Sequence, residues 1–416
     1  NTFANGGSSW ALSGSLSFTG GLSVTGGGGV LNLTGTNNNF SGGVTVGAGS
    51  ALYLNRTGTL SQDFTNNGTV GSGQNSTSVT FSGVISGAGN VTSTGNARSI
   101  TLSNTNNSYE GTTTVQSSAL SEVLSVTKLA DGGVNSSIGK SSSAASNLRI
   151  LGMSLRYTGT GDSTDRLFTI NGSAAAAYAG IEANGTGPLN FTNTGAIAYG
   201  TTDQTRTLTL YGTNTGNNTF APTIGNNGTG AVSLTKSGAG TWVLEGANSY
   251  TGTTTLSGGV LGISADANLS GTSSPLTFNG GNTEATKATL QIAGTSLTAL
   301  NAGRTTTFTA TKFVGFDIAD AANTFTVSQS LNQTTGGLTK LGAGTLVLSG
   351  SNSYTGVTTA SAGVLRLNSA NALPGGVGST GGSSALTING GVIGLNAGDF
   401  TRGLGTGGTQ VQITGG

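Results

Sequence analysis

Two pairs of carboxylates are the densest acidic clusters in this sequence and the residues best suited to chemistry. Asp162 and Asp165 stand beside Arg166 in GDSTDRLFT, and Asp317 and Asp320 stand in FDIADAANTF. Paired acids are what glycosidases use to cleave a sugar chain. The chain has no histidine and no cysteine, which removes the usual general base, the thiol nucleophile and most zinc sites. The enzymatic alternative that stays open is a polysaccharide lyase or glycosidase.

Both acid pairs also have a structural interpretation. Arg166 would pair with an aspartate at a local turn, and the second pair follows alternating apolar residues at the end of a strand. The glycine-rich stretches lack the recurring aspartate of calcium-binding nonapeptide repeats. We therefore predict no catalytic residue, no metal and no cofactor.

The composition limits the partners of the chain. Only 7% of the 416 residues are charged, against roughly 25% in an ordinary soluble domain, and the net charge of +1 predicts no nucleic-acid partner. No apolar run approaches the roughly 20 residues that cross a bilayer, so we predict no membrane-spanning segment. The absence of cysteine fits an exported bacterial protein that must not be crosslinked during passage.

Apolar residues alternate with polar ones along the chain, which predicts β-strands. The alternation is clear in GVLGI (259–263) and GVLRL (363–367). Leu365 and Leu367 would share a buried face, and Arg366 between them would face solvent. A narrow Val/Leu/Ile core is then enough, even though hydrophobic residues make up only 34% of the chain.

A thirty-residue segment is written twice. Residues 234–263 and 338–367 are identical at 21 of 30 positions, and their lysines, Lys236 and Lys340, are 104 residues apart. A unit that is built more than once is typical of proteins that stack repeats. Weaker copies occupy residues 30–54, 100–115 and 208–225.

The two strong copies share a signature of lysine, glycine and tyrosine. Its residues are Lys236, Gly238, Gly240, Tyr250, Gly252, Lys340, Gly342, Gly344, Tyr354 and Gly356. We expect the glycines to form corners with positive φ, and Asn248 and Asn352 to adopt the same region. We interpret the lysines as exposed charges that solubilise the protein or protect a sheet edge.

The sequence LTKSGAGTWVLEGANSYTGTTTL (234–256) and its second copy resemble the autotransporter-associated β-strand repeat, also called the passenger-associated transport repeat. Residues 129–170 resemble the sequence that joins such repeats in very large surface proteins of Gram-negative bacteria. The resemblance implies export, a right-handed parallel β-helix and display outside the cell.

We therefore predict an all-β protein, a single right-handed parallel β-helix over residues 1–416 with about 22 residues per rung. Its predicted function is structural, as an extracellular stalk, coat or fibre segment. The alternatives are a carbohydrate-active enzyme and a glycan-binding module. Strand-like sequence at 10–24 and 409–416, with no cap, predicts one of two things: a fragment of a longer passenger, or a homo-oligomer or filament through the solenoid ends. Surface glycans are the other predicted partner class.

Overall fold

The computed structural model describes residues 2–4, 6–14, 16–35, 39–55, 57–73, 78–93, 99–117, 122–172, 177–270, 274–377 and 383–415. Residues 36–38 of the weak repeat at 30–54 therefore lie outside the described residues. The chain has two compact units. Unit 1 comprises Asn1–Thr223 and Asn227–Gly230, and unit 2 comprises Ile224–Asn226 and Ala231–Gly416. A single solenoid over 1–416 stays a prediction.

Unit 1 is built from short strands separated by glycine-rich and asparagine-rich turns. The strands are β1 Thr2–Ala4, β2 Ser9–Leu12, β3 Ser17–Phe18, β4 Leu22–Thr25, β5 Val30–Leu33, β6 Asn39–Phe40, β7 Val44–Val46, β8 Ala51–Leu54, β9 Thr57–Leu60, β10 Phe64–Asn66, β11 Thr69–Ser72, β12 Ser78–Phe81, β13 Ile85–Ser86, β14 Asn90–Ser93, β15 Ser99–Leu102, β16 Thr113–Gln116, β17 Val123–Val126, β18 Leu148–Leu151, β19 Ser154–Tyr157, β20 Asp162–Thr164, β21 Thr169–Ile170, β22 Ala177–Ala183, β23 Leu189–Phe191, β24 Ala198–Tyr199, β25 Arg206–Gly212 and β26 Asn217–Phe220.

The strands of unit 1 stack into parallel sheets that run along the coil. One sheet has the order β1-β4-β7-β10-β13 and another the order β2-β5-β8-β11-β14-β16-β18-β21-β24. Strands β9-β12-β15-β17-β19-β22-β25 form a third, β20-β23-β26 a fourth, and β3 pairs with β6. The rungs contain different numbers of residues. The paired residues Ala51 and Thr69 are 18 positions apart in the sequence, whereas Thr113 and Leu148 are 35 apart. The extra residues form connectors between strands.

Unit 2 has the same construction. Its strands are β27 Val232–Lys236, β28 Thr241–Leu244, β29 Thr254–Leu256, β30 Gly259–Ile263, β31 Leu276–Phe278, β32 Ala288–Ile292, β33 Thr306–Phe308, β34 Val314–Ile318, β35 Thr324–Val327, β36 Leu338–Leu341, β37 Thr345–Leu348, β38 Thr358–Ala360, β39 Val364–Leu367, β40 Leu386–Asn389, β41 Val392–Leu395 and β42 Val411–Gly415. Within this unit, β27-β29-β31-β33 form one sheet, β28-β30-β32-β34-β36-β38-β40-β42 a second and β35-β37-β39-β41 a third.

The two strong repeats occupy different sheets of unit 2. The first strand of the first copy, β27, lies in the first sheet, whereas its counterpart in the second copy, β36, lies in the second sheet. The second strands, β28 and β37, are displaced in the same way. The 104 residues between the copies therefore do not complete a whole number of turns, and the two copies contribute to different faces of the coil.

The core is a stack of alternate side chains from successive rungs. In unit 1, Leu31, Leu52, Val70 and Val91 lie in register on β5, β8, β11 and β14, and each is at most 1% exposed. Burying one such aliphatic side chain contributes about 1.5–3 kcal/mol. Leu365 and Leu367 are also buried, as the alternation predicts.

The described residues contain no α-helix, only three single-turn 3-10 helices, at Ala145–Asn147, Asp266–Leu269 and Glu284–Thr286. The strand pairs within each unit are parallel throughout the described ladders. The predicted all-β class and parallel β-helix are therefore confirmed.

Candidate functional site

The two signature lysines point into the coil and not toward solvent. Lys236 and Lys340 are both 0% exposed, so the predicted exposed position is wrong. The ammonium of Lys236 donates to the carbonyls of Ser237 (2.7 Å), Gly238 (3.1 Å) and Gly258 (3.0 Å). Two of these acceptors belong to its own corner and the third to the corner of the next rung. The lysine therefore fastens two successive rungs.

Lys340 repeats this arrangement. Its ammonium donates to the carbonyls of Leu341 (2.6 Å), Gly342 (2.7 Å) and Ala362 (3.2 Å). Burial lowers the pKa of Lys236 to about 7. Burial also lowers the pKa of Lys340, to about 8, although the negative charge of Asp317 acts to raise it. Three carbonyl acceptors compensate part of the cost of burying an ammonium.

Two different constraints require glycine at most of the signature positions. Gly238 and Gly342, with φ of 67° and 74°, adopt the positive φ that the corner prediction requires. The other four do not, and that part of the prediction is wrong. A Cβ on Gly252 or Gly344 would overlap the backbone carbonyl of Val232 or Asp320 respectively, and a Cβ on Gly356 would overlap that of Gly336. The close approach of neighbouring backbones thus requires these three glycines.

Gly240 contributes in another way. A Cβ on Gly259, in the following rung, would lie 2.5 Å from the carbonyl oxygen of Gly240. The glycine that is confined at this corner is therefore Gly259, which also has a positive φ of 62°.

The signature tyrosines are buried and each bonds a threonine four residues later. The hydroxyl of Tyr250 lies 2.6 Å from Thr254 Oγ1, and that of Tyr354 lies 2.6 Å from Thr358 Oγ1. The same pair occurs in the weaker copy as Tyr109 with Thr113. Burial raises the pKa of Tyr250 to about 12 and also raises that of Tyr354. These phenols therefore stay protonated.

Asn248 and Asn352 do not adopt positive φ, so that prediction is wrong for them. Their side-chain amides bridge rungs instead. Asn352 Oδ1 accepts the backbone N–H of Leu331 at 2.8 Å, and its Nδ2 donates to the carbonyl of Ala372 at 2.6 Å. Asn248 does the same between Ile224 and Asn268. Each side-chain amide thus makes, at a corner, the hydrogen bonds to the neighbouring rungs that backbone groups make within the strands.

Both carboxylates of the first acid pair accept hydrogen bonds from the backbone of the chain. Asp162 Oδ2 accepts the N–H of Leu129 at 2.9 Å, and Asp165 Oδ1 accepts that of Gly132 at 2.7 Å. Arg166 is 3% exposed and bonds backbone carbonyls and Ser141, so the predicted Arg–Asp pair at the turn is wrong. Both carboxylates hold the connector that precedes β18.

The second acid pair is also engaged. Asp317 Oδ2 accepts from Gln291 Nε2 at 2.7 Å, and Asp320 Oδ1 accepts the N–H of Ala322 at 2.9 Å. Asp317 lies on β34 and Asp320 in the turn that follows it. Among the described residues, no three acidic side chains cluster in a way that would hold a metal ion.

Three buried arginines anchor the long connectors, a role that sequence reasoning missed. Arg166 donates to the carbonyls of Ala130 (2.9 Å) and Gly139 (3.0 Å). Arg304 donates to those of Ser270 and Ser274 and pairs with Asp266 at 2.9 Å. Arg402 donates to those of Pro374, Gly376 and Ser384. The signal was an arginine near each Phe/Thr-rich stretch that follows a connector.

A cleft of about 780 Å³ lies on the nine-stranded sheet of unit 1. The described residues that line it are Gln116, Ser146, Arg149, Leu151, Thr169, Asn171, Gly172, Ala198, Tyr199, Gly200 and Thr201. They come from β16, β18, β21 and β24, from the residues that follow β21 and β24, and, for Ser146, from the 3-10 helix that precedes β18. Its volume falls within the range of ligand pockets, ~300–1,000 Å³.

The described part of the chain has no helix that is long and apolar enough to span a membrane. The family model of the passenger-associated transport repeat matches residues 27–50, 99–117, 234–263 and 338–367. The last two matches coincide with the two strong copies, and the first two overlap the weak copies at 30–54 and 100–115. Residues 208–225 are not among the matches.

One curated relative is the adhesin BmaC autotransporter of Brucella suis biovar 1 (strain 1330). It is 54% identical to this chain over 142 residues, which cover 34% of this chain and 4% of the relative. The matched part is therefore a small fraction of a much longer protein. No solved structure matches the chain significantly.

Proposed function

We propose that this chain, a repeat protein of the autotransporter passenger family, serves as a structural segment that extends an adhesive surface protein away from the cell and itself contributes to adhesion. The predicted location, on the surface of a Gram-negative bacterium, is confirmed by the repeat family and the adhesin relative. A stalk or coat of this kind must hold its shape without a large hydrophobic core, because hydrophobic residues make up only 34% of the chain.

One observation carries the proposal. The side chains that recur between copies, namely the lysines, tyrosines and asparagines, are buried and bond the coil's own backbone or a neighbouring threonine. These buried side chains of the repeat thus fasten its rungs. The proposal includes the absence of enzymatic activity, because both acid pairs are engaged with the fold.

Surface display tests this function. The 416 residues would be displayed on a Gram-negative host that lacks its own adhesins, and attachment to epithelial cells would be counted against a host displaying an unrelated β-helix. We expect increased attachment and no release of new reducing ends from acidic or neutral polysaccharides. Reducing ends that disappear in Asp165→Ala or Asp317→Ala variants would support the carbohydrate-active enzyme instead.

Contact between copies is a second proposal. Val392, Leu395 and Ile413, on β41 and β42, are 59%, 44% and 64% exposed, although such side chains are usually covered. We propose that another copy covers these three side chains in a head-to-tail contact, which does not close and so builds a filament. Electron microscopy of the purified chain should show filaments that lengthen with concentration. Short rods of one length at every concentration would contradict this proposal.

A further inference from the structure

The floor and walls of the cleft in unit 1 are set by the register of four parallel strands. Arg149 on β18 pairs with Thr114 on β16 and with Thr169 on β21, and Thr169 pairs in turn with Ala198 on β24. Arg149 and Ala198 therefore stand on either side of Thr169. Thr169 is buried, and its hydroxyl donates to the carbonyl of Ala145 at 2.8 Å, so it forms a fixed floor.

Arg149 is held in position by the neighbouring rung. Its Nη2 donates to Asn171 Oδ1 at 3.1 Å. Asn171 is itself fixed, because its backbone N–H donates to the carbonyl of Ile150 at 2.8 Å. This bond orients the guanidinium, whose planar fork of five donors fits a carboxylate with two parallel hydrogen bonds.

The opposite rim is fastened from below by a second arginine. Arg206 is 1% exposed, and its Nη2 donates to the carbonyls of Gly172 (2.8 Å) and Thr201 (3.1 Å), both of which line the cleft. The side chain of Asn227 donates to the same Thr201 carbonyl at 2.7 Å. These hydrogen bonds hold the two rim carbonyls, and they place the guanidinium of Arg206 next to the rim as a second positive charge.

The lining supplies the chemistry that binds sugars. Tyr199 offers a half-buried aromatic ring, while Gln116 and Asn171 offer amide groups. An aromatic face with a few placed polar groups is a common composition of ligand pockets. No acidic side chain stands among the described residues that line the cleft, so the cleft neither repels an anion nor carries the carboxylate pair of a glycosidase.

We propose that this cleft binds an acidic glycan, with the carboxylate of a uronic or sialic acid residue on Arg149 and the sugar ring against Tyr199. The inference rests on the proposed adhesive function, since it assigns one adhesive contact to unit 1. Acidic peptides are the competing ligand of similar charge, and they lack a ring to stack on the tyrosine.

The test measures binding to the purified full chain by isothermal titration calorimetry. The probes are 3′-sialyllactose, a hyaluronan hexasaccharide, neutral lactose and a hexaglutamate peptide. We expect at least one of the acidic glycans to bind, with affinity that falls as salt is added, and at least tenfold weaker binding of lactose and of the peptide. Equal binding of acidic and neutral sugars, preference for the peptide, or no binding of either acidic glycan would overturn the proposal.

Variants locate the site. Arg149→Gln should lower the affinity at least tenfold, Arg149→Lys should recover part of it, and Tyr199→Ala should also weaken binding. Arg366→Gln, on β39 of unit 2, is the matched control and should leave it unchanged. Circular dichroism would establish that each variant is folded. A folded Arg149→Gln variant with wild-type affinity would show that the glycan does not bind in this cleft.

The display experiment separates this failure from failure of the proposed function. If cells displaying Arg149→Gln attach as well as wild type, and the purified chain binds no acidic glycan, the cleft assignment is wrong and the adhesive function stands. If cells displaying the wild-type chain do not attach at all, the proposed function itself fails.

Discussion

The hydroxyl of Tyr354 and the Oγ1 of Thr358 lie 2.6 Å apart, and both residues are 0% exposed. The distance is the same between Tyr250 and Thr254 in the other strong copy. In each copy the tyrosine stands at the corner before a strand, and the threonine is the first residue of that strand. The pair therefore ties the corner to the rung that follows it.

A double-mutant cycle on this pair tests its contribution to stability. Tyr354→Phe should lower the free energy of unfolding by about 1–2 kcal/mol, because it leaves a buried threonine hydroxyl without its partner. Adding Thr358→Val should cost less than the sum of the single changes, since the double variant leaves no orphaned group. Urea unfolding measures all four proteins. Strictly additive effects would mean that the two groups do not interact.

The buried lysines predict a stability that rises with pH. The pKa of Lys236 is about 7 in the fold, below its ordinary value of 10.5, so above pH 7 the unfolded chain binds more protons than the folded one. Burying the charged ammonium costs stability at low pH, and this cost disappears as the pH rises from about 7 toward 10.5. We expect the unfolding free energy to increase from pH 7 to 9, below the range in which tyrosines ionise.

Lys236→Met should reduce this slope, with Lys312→Met as the matched control because the Lys312 ammonium bonds Asn282 at the surface. Chemical denaturation at several pH values gives the slopes. An equal slope in the wild type and in Lys236→Met would show that Lys236 does not titrate in this range.

The connector arginines predict a local effect on exchange. Arg166→Met removes the donors to the carbonyls of Ala130 and Gly139, and it should destabilise unit 1 by about 1–3 kcal/mol. Hydrogen exchange should accelerate first in residues 129–141, which this arginine holds. Arg366→Met, in unit 2, serves as the control. Uniform acceleration over the whole unit would argue against a specific anchor.

Glycine positions that face a neighbouring rung predict steric effects. Gly252→Ala should destabilise unit 2 by about 2 kcal/mol or more, because its Cβ would overlap the carbonyl of Val232. Gly403→Ala is the matched control, since a Cβ there meets nothing within 4 Å. Thermal unfolding of the two variants checks the difference. Equal melting temperatures would show that the rungs can separate without cost.

The parallel β-helix could be predicted from sequence because its signals are local. Alternation such as that around Leu365 and Leu367 indicates a strand with one buried face, and the thirty-residue repeat indicates stacking. The position of Lys236 could not be predicted in this way. Its third acceptor, the carbonyl of Gly258, is 22 residues away and becomes adjacent only when the coil closes.

The cleft escaped prediction for the same reason. Arg149, Asn171 and Tyr199 belong to different rungs, and only the stacking of these rungs brings them to one cleft. None of the three lies in the repeat signature. Periodic patterns reveal what is repeated, whereas this cleft is formed by residues that occur once.

The central claim, that the repeated residues act on the fold and not on a ligand, is tested most directly by measuring attachment and unfolding on the same displayed variants. Tyr250→Phe, Tyr354→Phe and Lys340→Met should lower the unfolding temperature. At temperatures where each variant is fully folded, cells displaying it should attach as well as wild type. A variant that is folded but no longer attaches would contradict the account, because its residue would then belong to a ligand site.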